Sequence, residues 1–508
     1  MSLDESTVRF LLPKFRDATE KFYSGQMSPK EFKGISGLYG SYAQRGGEAG
    51  MVRLRLSGGR IDMPKLRFIV DAIESYRPSM VHITTCQSLQ LHNLPGEDIP
   101  EIMYKALDAG IFTFQTGGDN PRNITATPLS GVIEAPFDVQ PYAACAEEYL
   151  RNYVYGKKMP RKLKVGFSNT PENGTDSTAR DLGFVATGNG KFDVYSGGGL
   201  GPNPRLGLLV YRDADPKDLY RFLTAMVDMF IECGNFENRA KARVRYMRDT
   251  LGDDGYISKF NEHLRKAKAD ASIPDTVPGI FETIKMSDGS IPSSPRARKQ
   301  KQEGLYYVSY HPLGGDPAPE KFGEIYEAVK EMEGVEIRLS PAETLYVVNL
   351  TGSEADRVAE VLNDGAKTLF EASVSCVGAT ICQQGLRDSH GLLLRLIDME
   401  RRNGFADGVL PLLRISGCTS SCSAHQLGTI GLRGTSLKGE PAFVVNVNGS
   451  HILGRERIGE DVGVLKESDA EAFFETLGKA VEASGKKYRD WYNDDPSRLL
   501  KVCGHFLN

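Results

Sequence analysis

Two pairs of cysteines carry the chemistry most easily read from this chain. Cys376 and Cys382 stand in SCVGATICQQG with five residues between them, and Cys418 and Cys422 stand in RISGCTSSC with three. Four thiolates on two short loops can hold a [4Fe–4S] cluster, because thiolate is the ligand such clusters take from proteins. Gly378, Ala379, Gly417, Ser420 and Ser421 keep the flanking backbone small and rich in donors for the cluster's sulfurs. Zinc is the alternative, since His425 follows Cys422 closely. The first gap suits zinc poorly, as structural zinc pairs usually have about two to four intervening residues. Cys86, Cys145, Cys233 and Cys503 occur singly.

A second set of candidates is cationic. GMVRLRLSGG alternates as a strand, with Val52, Leu54 and Leu56 on one face and Arg53 and Arg55 on the other. In MPRKLKVGF, Lys162 and Lys164 share one parity while Leu163, Val165 and Phe167 take the opposite face. Arginine clamps oxyanions with paired hydrogen bonds, and lysine gives a compact charge that can relay protons. In TTCQSLQLH, a regular strand puts Thr84, Cys86, Gln90 and His92 on one face. Cys86 reads there as a small buried residue rather than a reactive thiol.

These residues need a large scaffold, and 508 residues exceed one ordinary core, so roughly two to four domains are expected. A formal charge of -4 spread over that length gives no reason to expect nucleic acid or an anionic membrane as partner. The segment MSLDESTVRFLLPKF lacks the apolar core of a signal peptide, and no apolar run is long enough to span a bilayer. A cytoplasmic location follows as the expectation, where thiols stay reduced.

Residues 1–45 read as a charged helical extension. A strand follows, then a helix with Asp62 as N-cap, Pro64 in its first turn and an apolar stripe of Leu66, Ile69, Val70 and Ile73. VHITTCQSLQLHNL returns as a strand or bulged strand pair, and a second helix falls around EDIPEIMYKALDAG. This is a ferredoxin-like α+β unit over 46–120. The plan recurs: Gly58–Gly59 matches Gly314–Gly315, Asn93–Leu94 matches Asn349–Leu350, Gly96 matches Gly352 and Asp108 matches Asp364, all 256 positions apart. That offset marks an internal duplication. The fold class expected is α+β, with two ferredoxin-like half-domains (46–120 and 305–368) and two larger α/β lobes (121–285 and 369–508). The Ser/Pro-rich and then basic stretch 286–304 reads as an exposed linker.

With C-x5-C followed by C-x3-C on a duplicated plan, the chain resembles the sirohaem-dependent sulfite and nitrite reductases over nearly everything beyond residue 45. GMVRLRLSGG resembles that family's first anion-contacting strand, PRNITATP its second arginine segment, and MPRKLKVGF its paired-lysine strand. YSGGGLG resembles a glycine turn, and GNFENRAKARVRYMRDTLG the helix closing the first lobe. The resemblance implies sirohaem and a [4Fe–4S] cluster as cofactors. It implies Cys376, Cys382, Cys418 and Cys422 as cluster ligands, with Cys422 also axial to the sirohaem iron. It places Arg53, Arg122, Lys162 and Lys164 in an anion pocket and Gln90 and His92 at the cofactor. The implied reaction is six-electron reduction of a small oxyanion, sulfite to sulfide or nitrite to ammonium. Lysine at both 162 and 164 leans towards sulfite. Cys86 stands where relatives typically carry arginine, which weakens that lean, and Thr419, Ser420 and Ser421 also depart from the family's usual cysteine spacer. No flavin or nicotinamide domain is recognisable, so electrons are expected from a separate ferredoxin or flavoprotein subunit. Two other readings are a cobalamin-synthesis relative, disfavoured by the intact Arg/Lys residues, and a non-catalytic sirohaem or iron–sulfur electron-transfer protein.

Overall fold

In the computed structural model, which describes residues 3–279, 281 and 285–508, the chain is mixed α+β and divides into two units. The first comprises Met1–Gly199, Arg205–Ser309 and Pro317–Asn363, the second Leu200–Pro204, Tyr310–Asp316 and Asp364–Asn508. The extension forms helices Glu5–Tyr23 and Pro29–Tyr39. Asp4 caps the first by accepting from the Thr7 N–H, and Ser28 with Glu31 forms a reciprocal capping box on the second. Among the described residues no helix is long and apolar enough to cross a membrane.

The first ferredoxin-like sheet runs in the order Ser41–Ala43, Gly50–Leu54, Leu89–Leu94, Met80–Ile83, all antiparallel. Its edge strand begins at residue 41, inside the stretch read from sequence as extension. The expected helix appears as Met63–Tyr76, with the Asp62 carboxylate accepting from the Lys65 N–H and Leu66, Ile69, Val70 and Ile73 buried. The second sheet, Ala297–Lys299, Tyr306–Tyr310, Leu345–Leu350, Glu336–Leu339, adds Arg60–Ile61 as a fifth strand. Residues 297–299 therefore form a strand within the stretch expected as linker.

The duplication holds residue for residue. Met80–Ile83 and Leu89–Leu94 map onto Glu336–Leu339 and Leu345–Leu350 with the same offset as Gly58 to Gly314. Gln44 accepts from the Asn93 N–H at 2.8 Å, and Gln300 accepts from the Asn349 N–H at 2.7 Å. Both asparagines have positive φ, 59° and 65°, a conformation asparagine tolerates better than most residues. Of the two readings of VHITTCQSLQLHNL, one strand or a strand pair, the structure has the pair, joined as a hairpin. Met80–Ile83 ends, the Thr84 hydroxyl accepts the N–H groups of Cys86 (3.3 Å) and Ser88 (3.0 Å), and Gln87 turns the chain at φ 56°. Cys86 thus sits on a turn and does not share a strand face with Gln90 and His92.

Each larger lobe is a five-stranded sheet with three parallel and two antiparallel strands. In the first unit Thr125–Ala126, Val165–Ser168 and Leu182–Ala186 run parallel, followed by Phe192–Ser196 and Leu208–Ala214. In the second, Val374–Ser375, Leu413–Ser416 and Ile430–Leu437 run parallel, followed by Glu440–Val447 and Glu460–Lys466. Parallel neighbours need a long crossover. Helices Gln140–Tyr153 and Ser389–Asn403 supply one in each lobe, and loops 169–181 and 417–429 supply the other. The second of those loops carries Cys418 and Cys422. Phe167, Phe184 and Phe192 pack in the first lobe's core, Phe370, Phe473 and Phe474 in the second.

Candidate functional site

Three adjacent parallel strands of the first lobe gather three cations. Arg122, Lys164 and Arg180 each lie one to three residues before the strands that begin at Thr125, Val165 and Leu182. Adjacent strands run about 5 Å apart, so cations at matching ends form one patch. Main-chain bonds hold the entry: Arg122 N–H donates to Leu163 O at 2.8 Å, Pro121 bridges Leu163, and Lys164 N–H donates to the Asp181 carboxylate at 2.7 Å. The Arg122 guanidinium donates to Asn120 O and Gly118 O, both at 3.0 Å, and burial lowers its pKa to about 10. Lys162 is half-buried on the same parity as Lys164, with Leu163 buried between them.

Arg180 did not emerge from the sequence. Its Nε donates to Thr175 O at 2.8 Å, and its guanidinium pairs with the buried Asp176 carboxylate at 3.9 Å. The signal was available in ARDLGFVA: like Arg122 and Lys164, this is a cation immediately ahead of a buried parallel strand.

Arg53 arrives from the ferredoxin-like sheet and is held on three sides. Its Nη1 donates to Thr116 O at 3.0 Å, and its Nη2 and Nε reach the Gln90 amide oxygen at 2.8 and 2.9 Å. The Gln90 amide nitrogen donates to His92 Nε2 at 3.1 Å, and His92 Nδ1 donates to Gln44 Oε1 at 3.3 Å. Burial, with His82 and Arg53 nearby, pushes the His92 pKa down to about 3, so the ring is neutral and this tautomer persists. Gln90 and His92 are buried at 8% and 2% exposure. Their polar groups act through Arg53, which makes them positioning residues in this geometry. Arg55 is also buried, its Nη2 donating to Gln115 O and Pro121 O, so its fork serves the backbone.

Cys86 feels the charge of these cations. Burial pushes its thiol up, but Lys164, Arg180, Arg53 and Arg122 outweigh that and bring it down to about 6. Cys86 is half-buried on its turn. Asn123 ties the turn down. Its amide nitrogen lies 2.8, 2.8 and 3.0 Å from the carbonyls of Leu56, Cys86 and Gln87, and its oxygen accepts from the Leu56 N–H at 3.1 Å. Asn123→Ala should lower unfolding free energy by about 2–3 kcal/mol, since it leaves buried backbone groups unpaired; urea denaturation of the two proteins checks this.

The four thiols belong to the second unit. Cys376 and Cys418 follow the C-terminal ends of neighbouring parallel strands, Val374–Ser375 and Leu413–Ser416, so the sheet brings their loops together. Gly417 N–H donates to Cys376 Sγ at 3.2 Å, Ser389 Oγ lies 3.1 Å from the same sulfur, and Gln384 N–H donates to Cys382 Sγ at 3.4 Å. Burial raises the Cys376 thiol, and the charge of Cys418 adds to that. Gly417 is required by crowding: a Cβ there would lie 2.6 Å from Arg387 O. Ser421 turns the CTSSC loop at φ 52°, its hydroxyl bonded to the Gln426 amide oxygen. Among the described residues no three His, Cys, Asp or Glu side chains converge as around a single ion, and His425, the third member of the zinc reading, is buried at 1% exposure.

The donor chemistry fits both implied groups. Four reduced thiols, with backbone N–H groups already aimed at two sulfurs, suit a cluster that takes thiolate ligands and N–H···S bonds. Among the described residues Arg53, Arg122 and Lys164 have no carboxylate partner, which suits a polyanionic tetrapyrrole or an oxyanion.

Two family descriptions match the chain: the nitrite/sulfite reductase ferredoxin-like half domain over residues 42–109, and the nitrite and sulphite reductase 4Fe-4S domain over 117–268. The second match contains Arg122, Lys162, Lys164 and Arg180; the four paired cysteines lie outside both. The assimilatory ferredoxin-dependent nitrite reductase of Haloferax mediterranei is 25% identical, across 92% of this chain and 86% of that protein. Sulfite reductase [ferredoxin] 1 of Mycolicibacterium paratuberculosis is 24% identical, across 87% and 80%. The NirA protein of Mycobacterium tuberculosis has the same fold, with a TM-score of 0.79 at 21% identity over 96% of this chain and 94% of that one.

Proposed function

The chain belongs to the nitrite and sulphite reductase family, and from that membership we propose that it reduces nitrite to ammonium with electrons from a ferredoxin. It is an oxidoreductase carrying out six-electron reduction of a small oxyanion, with sirohaem and a [4Fe–4S] cluster as its cofactor pair. Cys376, Cys382, Cys418 and Cys422 would hold the cluster, with Cys422 also reaching the sirohaem iron. Bound together, the two groups supply a reservoir of single electrons next to an iron that takes the substrate.

The observation that carries the reading is the patch of Arg53, Arg122, Lys164 and Arg180. Fixed cations in a poorly hydrated site stabilise an anion, and do so most where negative charge accumulates as its oxygens leave. Arg53 and Arg122 are oriented by backbone carbonyls before any substrate arrives, so little reorganisation is needed. Lys164 adds a mobile ammonium that can carry protons to departing oxygens.

Nitrite is favoured over sulfite because Cys86 stands where the resemblance leads one to expect arginine, and because the Haloferax relative, matched over most of its length, is named a nitrite reductase. Sulfite to sulfide is the second reading, favoured by lysine at both 162 and 164 and by the mycobacterial sulfite reductase. Loaded protein, reduced viologen and each anion in turn test the choice. The expected result is a higher kcat/KM for nitrite. A preference for sulfite would transfer the conclusion to the second reading, and turnover of neither anion would sink both.

A further inference from the structure

The short segment 115–121 orients three arginines through its carbonyls. Thr116 O accepts from Arg53, Gln115 O and Pro121 O accept from Arg55, and Gly118 O and Asn120 O accept from Arg122. Thr116 is tied locally, its N–H and its hydroxyl both donating to Thr113 O. The part that serves Arg122 is fastened differently. Gly118 N–H donates to the Tyr42 hydroxyl at 2.9 Å, Asn120 Nδ2 donates to Gly117 O at 3.0 Å, and a Cβ at Gly117 would collide with Gly37 O. Asp119 is the one charged residue of the segment. One of its carboxylate oxygens accepts from Arg161 Nη1 at 2.8 Å and Arg239 Nη2 at 3.1 Å, and the other accepts from Arg239 Nη1 at 2.7 Å. Arg161 immediately precedes Lys162, and Asn120 O, which receives Arg122, also accepts from the Leu163 N–H at 3.4 Å. The Asp119 carboxylate thus fastens the loop that aims Arg122 to the segment that carries the lysines.

We propose that Asp119 is a positioning residue of the oxyanion site and acts through Arg122. This rests on the oxyanion-reductase reading and names what sets the direction of one of its cations. A carboxylate repels an anionic substrate, so Asp119 contributes through the two arginines it holds and not by contact. The guanidinium is a planar fork of fixed donors, so pinning two of them on Gly118 O and Asn120 O points the rest. When the loop slackens, those carbonyls move and the fork loses its direction while keeping its charge. A displacement of about 1 Å can cost up to about 10²-fold in rate. Here the Arg122 N–H keeps its bond to Leu163 O, which limits the movement, so a loss of roughly tenfold is expected.

The test is a double-mutant cycle on holoenzyme, with Asp119→Ala made in wild type and in Arg122→Lys, whose lysine keeps the charge but has no fork to aim. For the anion that wild type turns over, kcat/KM should fall roughly tenfold in the first background and change less than about twofold in the second. Asp119→Glu should recover part of the loss. Asp275→Ala removes a 2.7 Å pair with Arg221 from the same unit and should leave kcat/KM unchanged. An unchanged kcat/KM in Asp119→Ala, an equal loss in both backgrounds, or the same loss in Asp275→Ala overturns the proposal. Hydrogen exchange on unloaded protein gives a reading that needs no turnover. Amides across 116–122 should exchange roughly tenfold faster in Asp119→Ala than in wild type, and unchanged protection also overturns the proposal. If loaded wild type turns over neither anion, the reductase reading fails, while the exchange rates still decide whether Asp119 fastens the Arg122 loop.

Discussion

Cys376→Ser, purified without oxygen and reconstituted with iron and sulfide, is expected to retain almost no cluster iron and to show only background turnover with either anion. Serine at this position can still accept from the Gly417 N–H and meet Ser389, so the unloaded variant should unfold within about 1 kcal/mol of unloaded wild type. What it lacks is a soft thiolate, the ligand that iron–sulfur clusters take. Cys503→Ser is the matching control. Cys503 is fully buried in the second lobe's core, its thiol pushed up to about 12 by burial alone and its Sγ 3.7 Å from Phe473 O. That variant should lose stability, because a hydroxyl replaces sulfur in an apolar site, yet keep its iron. Iron and acid-labile sulfide per chain, measured on both variants, separate ligand from core cysteine. Full iron retention in Cys376→Ser would remove it from the ligand set.

Periodicity and spacing revealed much of this fold. Local rules sufficed for the Asp62-capped helix and its apolar stripe, because cap, proline and stripe lie within one element. The 256-residue offset was legible because positive-φ asparagines and turn glycines cannot drift without breaking the turns they close. What stayed hidden depended on long-range pairing. Ser41–Ala43 and Ala297–Lys299 are short edge strands whose polar sequences resemble connectors until a partner strand is known. Cys86 was drawn on a strand face because two residues, Thr84 and Gln87, convert an alternating pattern into a hairpin. Gln90 and His92 stood out in the sequence, but their link to Arg53 depends on the cross-strand register of Arg53 with Gln90. Arg180 precedes a buried strand as Arg122 and Lys164 do, but that local signal gains meaning only once the three parallel strands are aligned.

Arg180→Ala is therefore the substitution with the second largest expected effect, lowering kcat/KM for nitrite by roughly 10²-fold. Arg180 is buried at 8% exposure, fixed by Thr175 O at 2.8 Å, with its stem packed 3.4 Å from where a Cβ at Gly166 would stand. Its charge acts on Cys86 together with those of Lys164, Arg53 and Arg122, so removing it weakens the local positive field. The substitution also removes the ion pair with the buried Asp176 carboxylate, so stability should fall as well. Activity alone would thus confuse a weakened site with a damaged fold. Two readouts separate them. Arg180→Lys keeps the charge without the planar fork and should recover part of the kcat/KM. The pH at which Cys86 reaches half-maximal alkylation should rise in Arg180→Ala and stay close to wild type in Arg180→Lys, because it follows the local positive charge. A profile unmoved by Arg180→Ala would mean that the guanidinium acts only on the 173–180 loop, and that the patch is built from Arg53, Arg122 and the lysines.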